Sequence, residues 1–258
     1  MHAPLTPPRI IERPRIGRQL RQIITSSHVL LTAPAGYGKS VVLRNFARDT
    51  PNAHLISLTQ ADLDLAALQA RIRPFRNPPS LILLDDVHLL AGEPAICTWL
   101  QQQLAQPEPR WLLAGRRLPF AADWLLVAGH AVHLNKDLLA FRLPEAQALL
   151  GEPEAEAAAW LARLDGWTLA LSLLSRLPPS SERLPATEAH LFTYLRHAVF
   201  AQLSPQLFQF MQRTAVPLQF NAALAADLWP DAAEAETLFS AVLQNDLYLQ
   251  PAQKSGWF

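Results

Sequence analysis

Charged residues and cysteine are scarce in this chain of 258 residues. Only 17% of the residues are charged, below the usual quarter, and half are apolar, which favours a large buried core. The 22 basic and 22 acidic residues cancel, so the net charge gives no argument for nucleic-acid binding. The single cysteine, Cys97, excludes an internal disulfide and fits a reducing compartment.

The sequence also shows no secretory signal peptide and no apolar segment long enough to span a membrane. Residues 1–14 contain prolines and arginines but no apolar stretch of the kind that a signal peptide needs. The longest apolar windows, around residues 124–134, are interrupted by Gly129, His130 and His133 and are too short to cross a bilayer. We therefore expect a cytoplasmic protein without a membrane partner.

Lysine is rare, with three lysines against 19 arginines, and one of the three lysines lies within a recognisable motif. Lys39 lies in a Gly-Lys-Ser sequence where a compact ammonium is chemically useful. Residues 29–40 read VLLTAPAGYGKS, an apolar run followed by a Pro/Gly turn and a helix start. This is the pattern of a P-loop, which binds the phosphates of a nucleotide.

The predicted P-loop has a suitable donor set for a triphosphate. Gly36 and Gly38 permit the positive φ angles that aim backbone N–H groups at phosphate oxygens. Lys39 would reach the β- and γ-phosphates, and the Ser40 hydroxyl would ligate Mg²⁺. The first motif position is Ala33 instead of glycine, a minor change if its φ is negative. The residues predicted to contact the nucleotide here are Pro34, Ala35, Gly36, Tyr37, Gly38, Lys39, Ser40 and Val41.

A second apolar run, residues 81–84, ends in Asp85 and Asp86. Asp85 would hold Mg²⁺ through water, as the acidic residue at the end of this strand does in P-loop ATPases. Asp86 is the candidate for orienting or deprotonating the attacking water, and capping of a following loop or helix is its alternative role. Because its side chain is one methylene shorter than glutamate, we expect slow hydrolysis, which suits a switch better than a motor.

Arg116 follows the apolar run at residues 110–114, where it could touch the γ-phosphate, although a solvated loop arginine is the alternative. Together with Lys39 and Asp86 it completes the predicted catalytic set. The sequence NKDL at residues 135–138 carries its aspartate one position too early for the guanine-reading motif. The predicted ligands are therefore ATP or ADP with Mg²⁺.

Strand-like and helical patterns alternate along the first half of the chain. Such alternation predicts a five-stranded parallel α/β sheet with helices on both faces. The predicted strands are residues 29–32, 54–58, 81–85, 110–114 and 131–134. Amphipathic helices are predicted at residues 15–25, 39–49, 61–72, 93–103 and 121–127, and the residues that follow are mainly helical.

The end of the chain has a winged-helix pattern. Helices are predicted at residues 191–200, 205–214 and 232–243, followed by strands at residues 247–250 and from Gly256. Residues 185–258 contain six acids and three bases, a balance of −3 that argues against direct DNA reading. The second arm of the hairpin stops with the sequence, so we expect a fragment of a longer protein. The predicted domains are a P-loop α/β domain (1–135), a helical domain (136–183) and a truncated winged helix (184–258).

These motifs resemble a known family. The P-loop at residues 33–40, LDDVHL at residues 84–89 and LLAGR at residues 112–116 resemble the nucleotide-binding module of MalT-like regulators. These are LuxR-type transcriptional activators within the STAND class of signalling ATPases. The resemblance spans nearly the whole chain. It continues through DLLAF at 137–141, GWTLA at 166–170, NDLYL at 245–249 and GWF at 256–258.

The resemblance implies a P-loop NTPase sheet of the AAA+/STAND kind, a small helical domain and a winged helix that closes over the nucleotide. It implies that ADP holds a resting monomer, that ATP with an inducer permits self-association, and that hydrolysis resets the switch. It also implies that Arg13 lies near the base, that Arg116 senses the γ-phosphate and that Thr168 contacts adenine where the family usually has proline or a small residue. Inducer and DNA would be contacted only by parts absent from this chain.

Two other functions remain open from the sequence. A stand-alone AAA-type ATPase that remodels another macromolecule would need faster turnover, against which the short Asp86 counts. A degenerate scaffold that no longer binds nucleotide is suggested by Ala33, by Thr168 and by the early end of the sequence.

Overall fold

The computed structural model describes residues 9, 11–77, 79–180, 182–244 and 256. The chain divides into two compact units, residues 1–189 and residues 190–258. The first unit contains both the predicted α/β domain and the predicted helical domain. None of the helices in the described residues is long and apolar enough to cross a membrane.

Five strands form one sheet in the order β2-β3-β4-β1-β5, and every pairing is parallel. The strands are β1 (His28–Thr32), β2 (Ala53–Ser57), β3 (Leu81–Asp85), β4 (Arg110–Gly115) and β5 (Ala131–Leu134). All five lie within a residue of their predicted positions. The predicted parallel sheet is confirmed. It could be predicted because strands that are buried on both faces consist of nearly continuous apolar residues.

Helices cover both faces of this sheet, and alternate strand residues enter two separate cores. Leu30, Leu84 and Leu113 lie in one core, whereas neighbours such as Leu31 lie in the other. The first core is covered by α3 (Leu65–Ile72), α4 (Pro94–Leu104) and α5 (Asp123–Val127). The second is covered by α1 (Pro14–Ile24), α2 (Lys39–Arg48) and the short α6 (Lys136–Leu139).

A helical part with its own apolar core follows the sheet within the first unit. It consists of α7 (Leu143–Leu150), α8 (Glu154–Leu164) and α9 (Thr168–Leu174). Arg15 of α1 ties this part to the sheet, because its guanidinium forms a half-buried ion pair with Glu145 at 2.8 Å. The same guanidinium donates to the carbonyls of Leu138 (2.7 Å) and Ala140 (2.6 Å). One side chain therefore connects the start of the chain to the segment that leaves the last strand.

The second unit is helical in its described part. Its helices are the later half of α10 (Arg183–Ala198), α11 (Pro205–Thr214), α12 (Ala222–Asp227) and α13 (Ala232–Gln244). Phe210 packs edge-to-face on Trp229 with their ring centroids 5.6 Å apart. Two strands were predicted at residues 247–250 and from Gly256. Apart from Gly256 itself, both lie outside the residues that the structure describes.

Two helix starts differ from the predictions by four or more residues. The helix predicted from residue 61 begins at Leu65, because the buried Asp62 carboxylate instead accepts the N–H of Thr59 (2.8 Å) and pairs with Arg71 (2.6 Å). The helix predicted from residue 191 begins at Arg183. Pro185 lies in its first turn, where proline is tolerated because that N–H has no partner within the helix.

His28 at the start of β1 is a buried ring with a fixed hydrogen-bond pattern. Its Nδ1 accepts the backbone N–H of Trp111 (3.1 Å), so the proton is on Nε2, which donates to the carbonyl of Gln106 (2.8 Å). Burial is the main cause that lowers the pKa of His28. The charges of Arg110 and His130 add to this effect, and the Gln106 carbonyl opposes it.

We expect the free energy of unfolding to fall as the pH drops below about 6.5, because the unfolded chain takes up a proton that the folded His28 ring resists. The variant His28→Asn keeps an acceptor for Trp111 but cannot titrate. Urea unfolding between about pH 7 and about pH 5 should therefore show a shallower pH dependence for this variant than for the wild type. The exposed His197 of α10 provides the control variant His197→Asn. Equal slopes for His28→Asn and the wild type would contradict the prediction.

Candidate functional site

The predicted functional residues come together at one edge of the sheet. In a parallel sheet the carboxyl ends of all strands lie at the same edge, where ligands bind. The P-loop follows β1, Asp85 and Asp86 stand at the end of β3, and Arg116 follows β4. Since β3, β4 and β1 are neighbours in the sheet, the three predicted motifs are adjacent in space.

The P-loop has the backbone conformation that its glycines predict. Gly36 and Gly38 have φ angles of +83° and +80°, and Gly38 is the N-cap of α2. Lys39 is only 7% exposed, and its Nζ donates to the carbonyls of Ala33 (2.6 Å) and Pro34 (3.0 Å). The ammonium is therefore held inside the loop by the loop's own backbone.

The start of α9 also holds the P-loop by its backbone carbonyls. Residues 167–169, which we name the P-loop clamp, donate hydrogen bonds to the carbonyls of residues 35–37. Trp167 Nε1 donates to Ala35 (3.1 Å) and the N–H of Leu169 to Gly36 (2.9 Å), while the Thr168 hydroxyl shares its one proton between Tyr37 (3.3 Å) and Leu139 (3.1 Å). The conformation of the phosphate-binding loop therefore depends on the position of the helical part.

Arg13 and Thr168 meet beside the P-loop. Both donate to the carbonyl of Leu139, Arg13 at 2.6 Å and Thr168 at 3.1 Å. A Cβ built on Gly38 would lie 3.5 Å from the Arg13 guanidinium and 3.7 Å from the Thr168 methyl. The guanidinium also lies over the ring of Phe141, 5.0 Å from its centroid. Burial lowers the pKa of Arg13, although an arginine stays charged at neutral pH.

A cavity of about 240 Å³ opens between the start of α1 and α2. Arg13 and the half-exposed Val41, both predicted to contact the nucleotide, line it. Asn45 and Asp49 also line it and were missed by the sequence analysis. Their spacing of four residues from Val41 and from each other could have identified them, because such residues share one face of a helix.

The two aspartates at the end of β3 differ in exposure. Asp85 is 2% exposed, and its Oδ1 accepts the backbone N–H of Asp86 (3.0 Å). Asp86 has a left-handed backbone with φ +62°, and its side chain is 44% exposed. Burial first, and then the charge of Asp85, raises the pKa of Asp86, while Lys39 and Arg116 oppose this rise. Asp85, Lys39 and Arg116 therefore all act electrostatically on Asp86, and we name these four groups the charged cluster.

His88 was quoted only as part of a motif, and the structure brings it to this cluster. Its Nδ1 lies 3.8 Å from Asp86 Oδ1. Burial, with the positive charges of Arg116, Lys39 and Arg117, lowers the pKa of His88 to about 4. The imidazole is therefore neutral at pH 7. Its place as a lone polar residue between the apolar Val87 and Leu89 could have suggested a role for it.

Residues 135–138, which partly match the guanine-reading motif, have a structural role at the start of α6. The Asn135 side chain accepts the N–H of Asp137 (2.9 Å) and so caps the start of α6. Lys136 pairs with Asp165, which lies just before the P-loop clamp.

The residues predicted to hold Mg²⁺ fit a hard cation in their chemistry. Ser40 offers a hydroxyl in the first turn of α2, and Asp85 offers a buried carboxylate at the end of β3. Both are oxygen donors, which Mg²⁺ prefers, and few protein ligands suffice because Mg²⁺ keeps several waters.

We expect Gly36→Ala to destabilise the first unit. The new Cβ would lie 2.7 Å from Trp167 Nε1, and φ +83° is strained for any residue with a side chain. The expected loss in free energy of unfolding is about 1–3 kcal/mol, measured by urea denaturation. Gly92→Ala is the matched control, because nothing lies within 4 Å of its new Cβ. Equal losses in the free energy of unfolding for the two variants would show that Trp167 and the positive φ do not restrict residue 36 to glycine.

Comparisons with known proteins agree with this architecture. A family model described as the MalT winged helix domain matches residues 196–258. The HTH-type transcriptional regulator MalT of Vibrio campbellii is 23% identical over 303 residues, covering 96% of this chain and 34% of that protein. MalT of Vibrio cholerae is 23% identical over 306 residues with the same coverage. The chain thus spans about a third of the length of the curated relatives it matches.

Among solved structures, the Walker-type ATPase PABY2304 of Pyrococcus abyssi is similar in fold. Its TM-score is 0.64 at 15% identity, covering 96% of this chain and 92% of that chain. The likeness along the whole chain and the winged-helix match therefore lead to one conclusion: this chain has the fold of a Walker-type, P-loop ATPase and is similar to a part of the HTH-type transcriptional regulator MalT.

Proposed function

We propose that this chain is an ATP/ADP-binding switch module of a MalT/LuxR-like transcriptional regulator in the cytoplasm. The observation that carries the proposal is the P-loop clamp. The loop that would wrap the phosphates is hydrogen-bonded through three successive carbonyls to α9. Any movement of this loop on nucleotide binding would strain those bonds. Nucleotide occupancy and the helical part are thereby coupled.

The binding residues would act on different parts of the nucleotide. The N–H groups of residues 36–40 and the Lys39 ammonium would hold the phosphates. Arg13, Val41 and Thr168 would lie near the adenine, two of them along the cavity between α1 and α2. To reach the phosphates, Lys39 would exchange the carbonyls of Ala33 and Pro34 for phosphate oxygens. That exchange would free two carbonyls that directly precede the three held by the clamp.

The same edge of the sheet supports slow hydrolysis. Bound Mg²⁺, held by Ser40 and Asp85, would neutralise phosphate charge. Asp86 would accept a proton from water as the water oxygen attacks the γ-phosphorus and the bond to the ADP oxygen breaks. Burial and Asp85 raise the pKa of Asp86, which makes it a better proton acceptor than a solvated aspartate. Arg116 would stabilise the charge that develops on the γ-phosphate.

In this proposal ATP and ADP set two states of the module. ADP would leave the clamp engaged and the module at rest, whereas ATP would disturb it and permit self-association. Hydrolysis would restore the resting state. Inducer and DNA would be bound by other parts of the regulator. A scaffold function would require that the P-loop bind no nucleotide, which the next experiment decides.

Lys39→Ala should abolish binding of Mg-ATP, because it removes the one ammonium inside the P-loop. Isothermal titration calorimetry measures the affinity, and denaturation of freshly purified protein shows whether ADP co-purifies with the wild type and not with the variant. Arg44→Ala is the control, because Arg44 is an exposed cation on the same helix. An unchanged affinity in Lys39→Ala would overturn the proposal.

Arg116→Ala should weaken binding of ATP more than that of ADP, because only ATP has the γ-phosphate that the guanidinium would contact. We expect about a tenfold or greater loss for ATP, as for the removal of one charge-assisted hydrogen bond. Titration of each nucleotide in turn measures the ratio. The exposed Arg163 of α8 provides the control Arg163→Ala. Equal losses for ATP and ADP would remove the sensor role from Arg116.

A further inference from the structure

The cavity between α1 and α2 combines apolar walls with polar side chains. It holds about 240 Å³, and its walls include the apolar side chains of Ile16, Val41 and Phe46. The polar side chains in its lining are those of Glu12, Arg13, Arg21, Asn45, Arg48 and Asp49. Apolar walls with a few polar groups suit a planar ring compound, because the walls pack on its faces and the polar groups hold its edge.

Asn45 supplies the amide in this lining. Its side chain is exposed, so that an entering ring can reach it. The Asn45 amide makes no hydrogen bond to any residue that the structure describes. By contrast, Arg48 is paired with Asp49 at 2.9 Å, and Arg13 donates to the carbonyl of Leu139. The uncharged amide is therefore ready to bind a ligand.

The position of Asn45 on α2 places it beyond the phosphate-binding end of the helix. It lies one turn after Val41, about 6 Å farther along the helix axis. The Cα–Cβ bonds of a helix tilt toward its N-terminus, so the Asn45 side chain starts toward Val41 and the P-loop. A base that packs on Val41 while its phosphates lie in the P-loop would thus present an edge to Asn45.

An asparagine amide matches the edge of adenine and not that of guanine. Adenine presents the N6 amino donor beside the N7 acceptor, whereas guanine presents two acceptors, O6 and N7. An amide has one acceptor and one donor side by side, and it can satisfy both adenine atoms together. Against guanine the amide oxygen would face O6, and no second hydrogen bond could form.

We propose that Asn45 selects adenine in the nucleotide site. Its Oδ1 accepts a hydrogen bond from the N6 amino group of the base, and its Nδ2 donates to N7. This inference rests on the proposed function, because the P-loop must hold the phosphates for the base to lie along α2. It adds a residue that recognises adenine to an argument that so far only excluded the guanine motif.

The test measures the Kd of four magnesium nucleotides by isothermal titration calorimetry with the intact chain. They are ATP, GTP, 7-deaza-ATP, which lacks N7, and purine riboside triphosphate, which lacks the N6 amino group. We expect the wild type to bind ATP about tenfold or more tightly than GTP, and several-fold more tightly than either analogue. Asn45→Leu, of similar size without an amide, should bind all four within about threefold of one another.

Asn45→Asp separates the two contacts. The carboxylate still accepts from N6 but has no donor for N7. This variant should keep its preference for ATP over purine riboside triphosphate, yet bind 7-deaza-ATP at least as tightly as ATP. The control Gln102→Leu removes an exposed amide of α4 outside the cavity and should leave every preference unchanged.

Magnesium tripolyphosphate, which has no base, reports on the P-loop alone. It should bind equally to the wild type and to Asn45→Leu. If Asn45→Leu loses this binding, the contrast between the analogues in Asn45→Asp decides. A wild type that binds all four nucleotides alike, or an Asn45→Leu variant that keeps the preference for ATP, would overturn the inference. A wild type that binds neither Mg-ATP nor magnesium tripolyphosphate would instead overturn the proposed function.

Discussion

The hydrogen bonds between the start of α9 and the P-loop are the constraint on which the proposed switch depends. A phosphate-binding loop turns its N–H groups toward the ligand, which leaves its carbonyls on the other side in need of donors. Here those donors come from residues 167–169 instead of water. Gly36 is required twice, for its positive φ and because Trp167 leaves no room for a Cβ. The helical part is thereby fastened to the ligand-binding backbone itself.

A second constraint is electrostatic. The edge of the sheet gathers Lys39, Asp85, Asp86 and Arg116 into a space where burial weakens the screening by water. Burial first, and then the charge of Asp85, raises the pKa of Asp86, and burial with the charges of Arg116 and Lys39 lowers the pKa of His88. A triphosphate with Mg²⁺ would add the largest charges to this cluster. The proposed role of Arg116 follows from this closeness.

Much of the first unit could be predicted from the sequence because its signals are local. Each strand is a short apolar run, and α2 begins immediately after Gly38 as a P-loop requires. Helix starts were less predictable where a side chain decides them. Asp62 delays α3 through its bonds to Thr59 and Arg71, and the latter lies nine residues further along the chain. The helix at Arg183 started earlier than expected, where polar residues and Pro185 concealed it.

The sequence by itself determined the presence of the P-loop, of the two aspartates after the third apolar run and of the parallel sheet. Each of these features depends on a short stretch of consecutive residues. Only the tertiary structure decided how these groups act on one another. The burial of Lys39 on two carbonyls, the meeting of Arg13 and Thr168 at Leu139, and the cavity that Arg13 and Asn45 both line are such cases. Each depends on atoms far apart in the chain or on the solvent excluded between them. Burial and distance are properties of the packed fold, and no short stretch of sequence contains them.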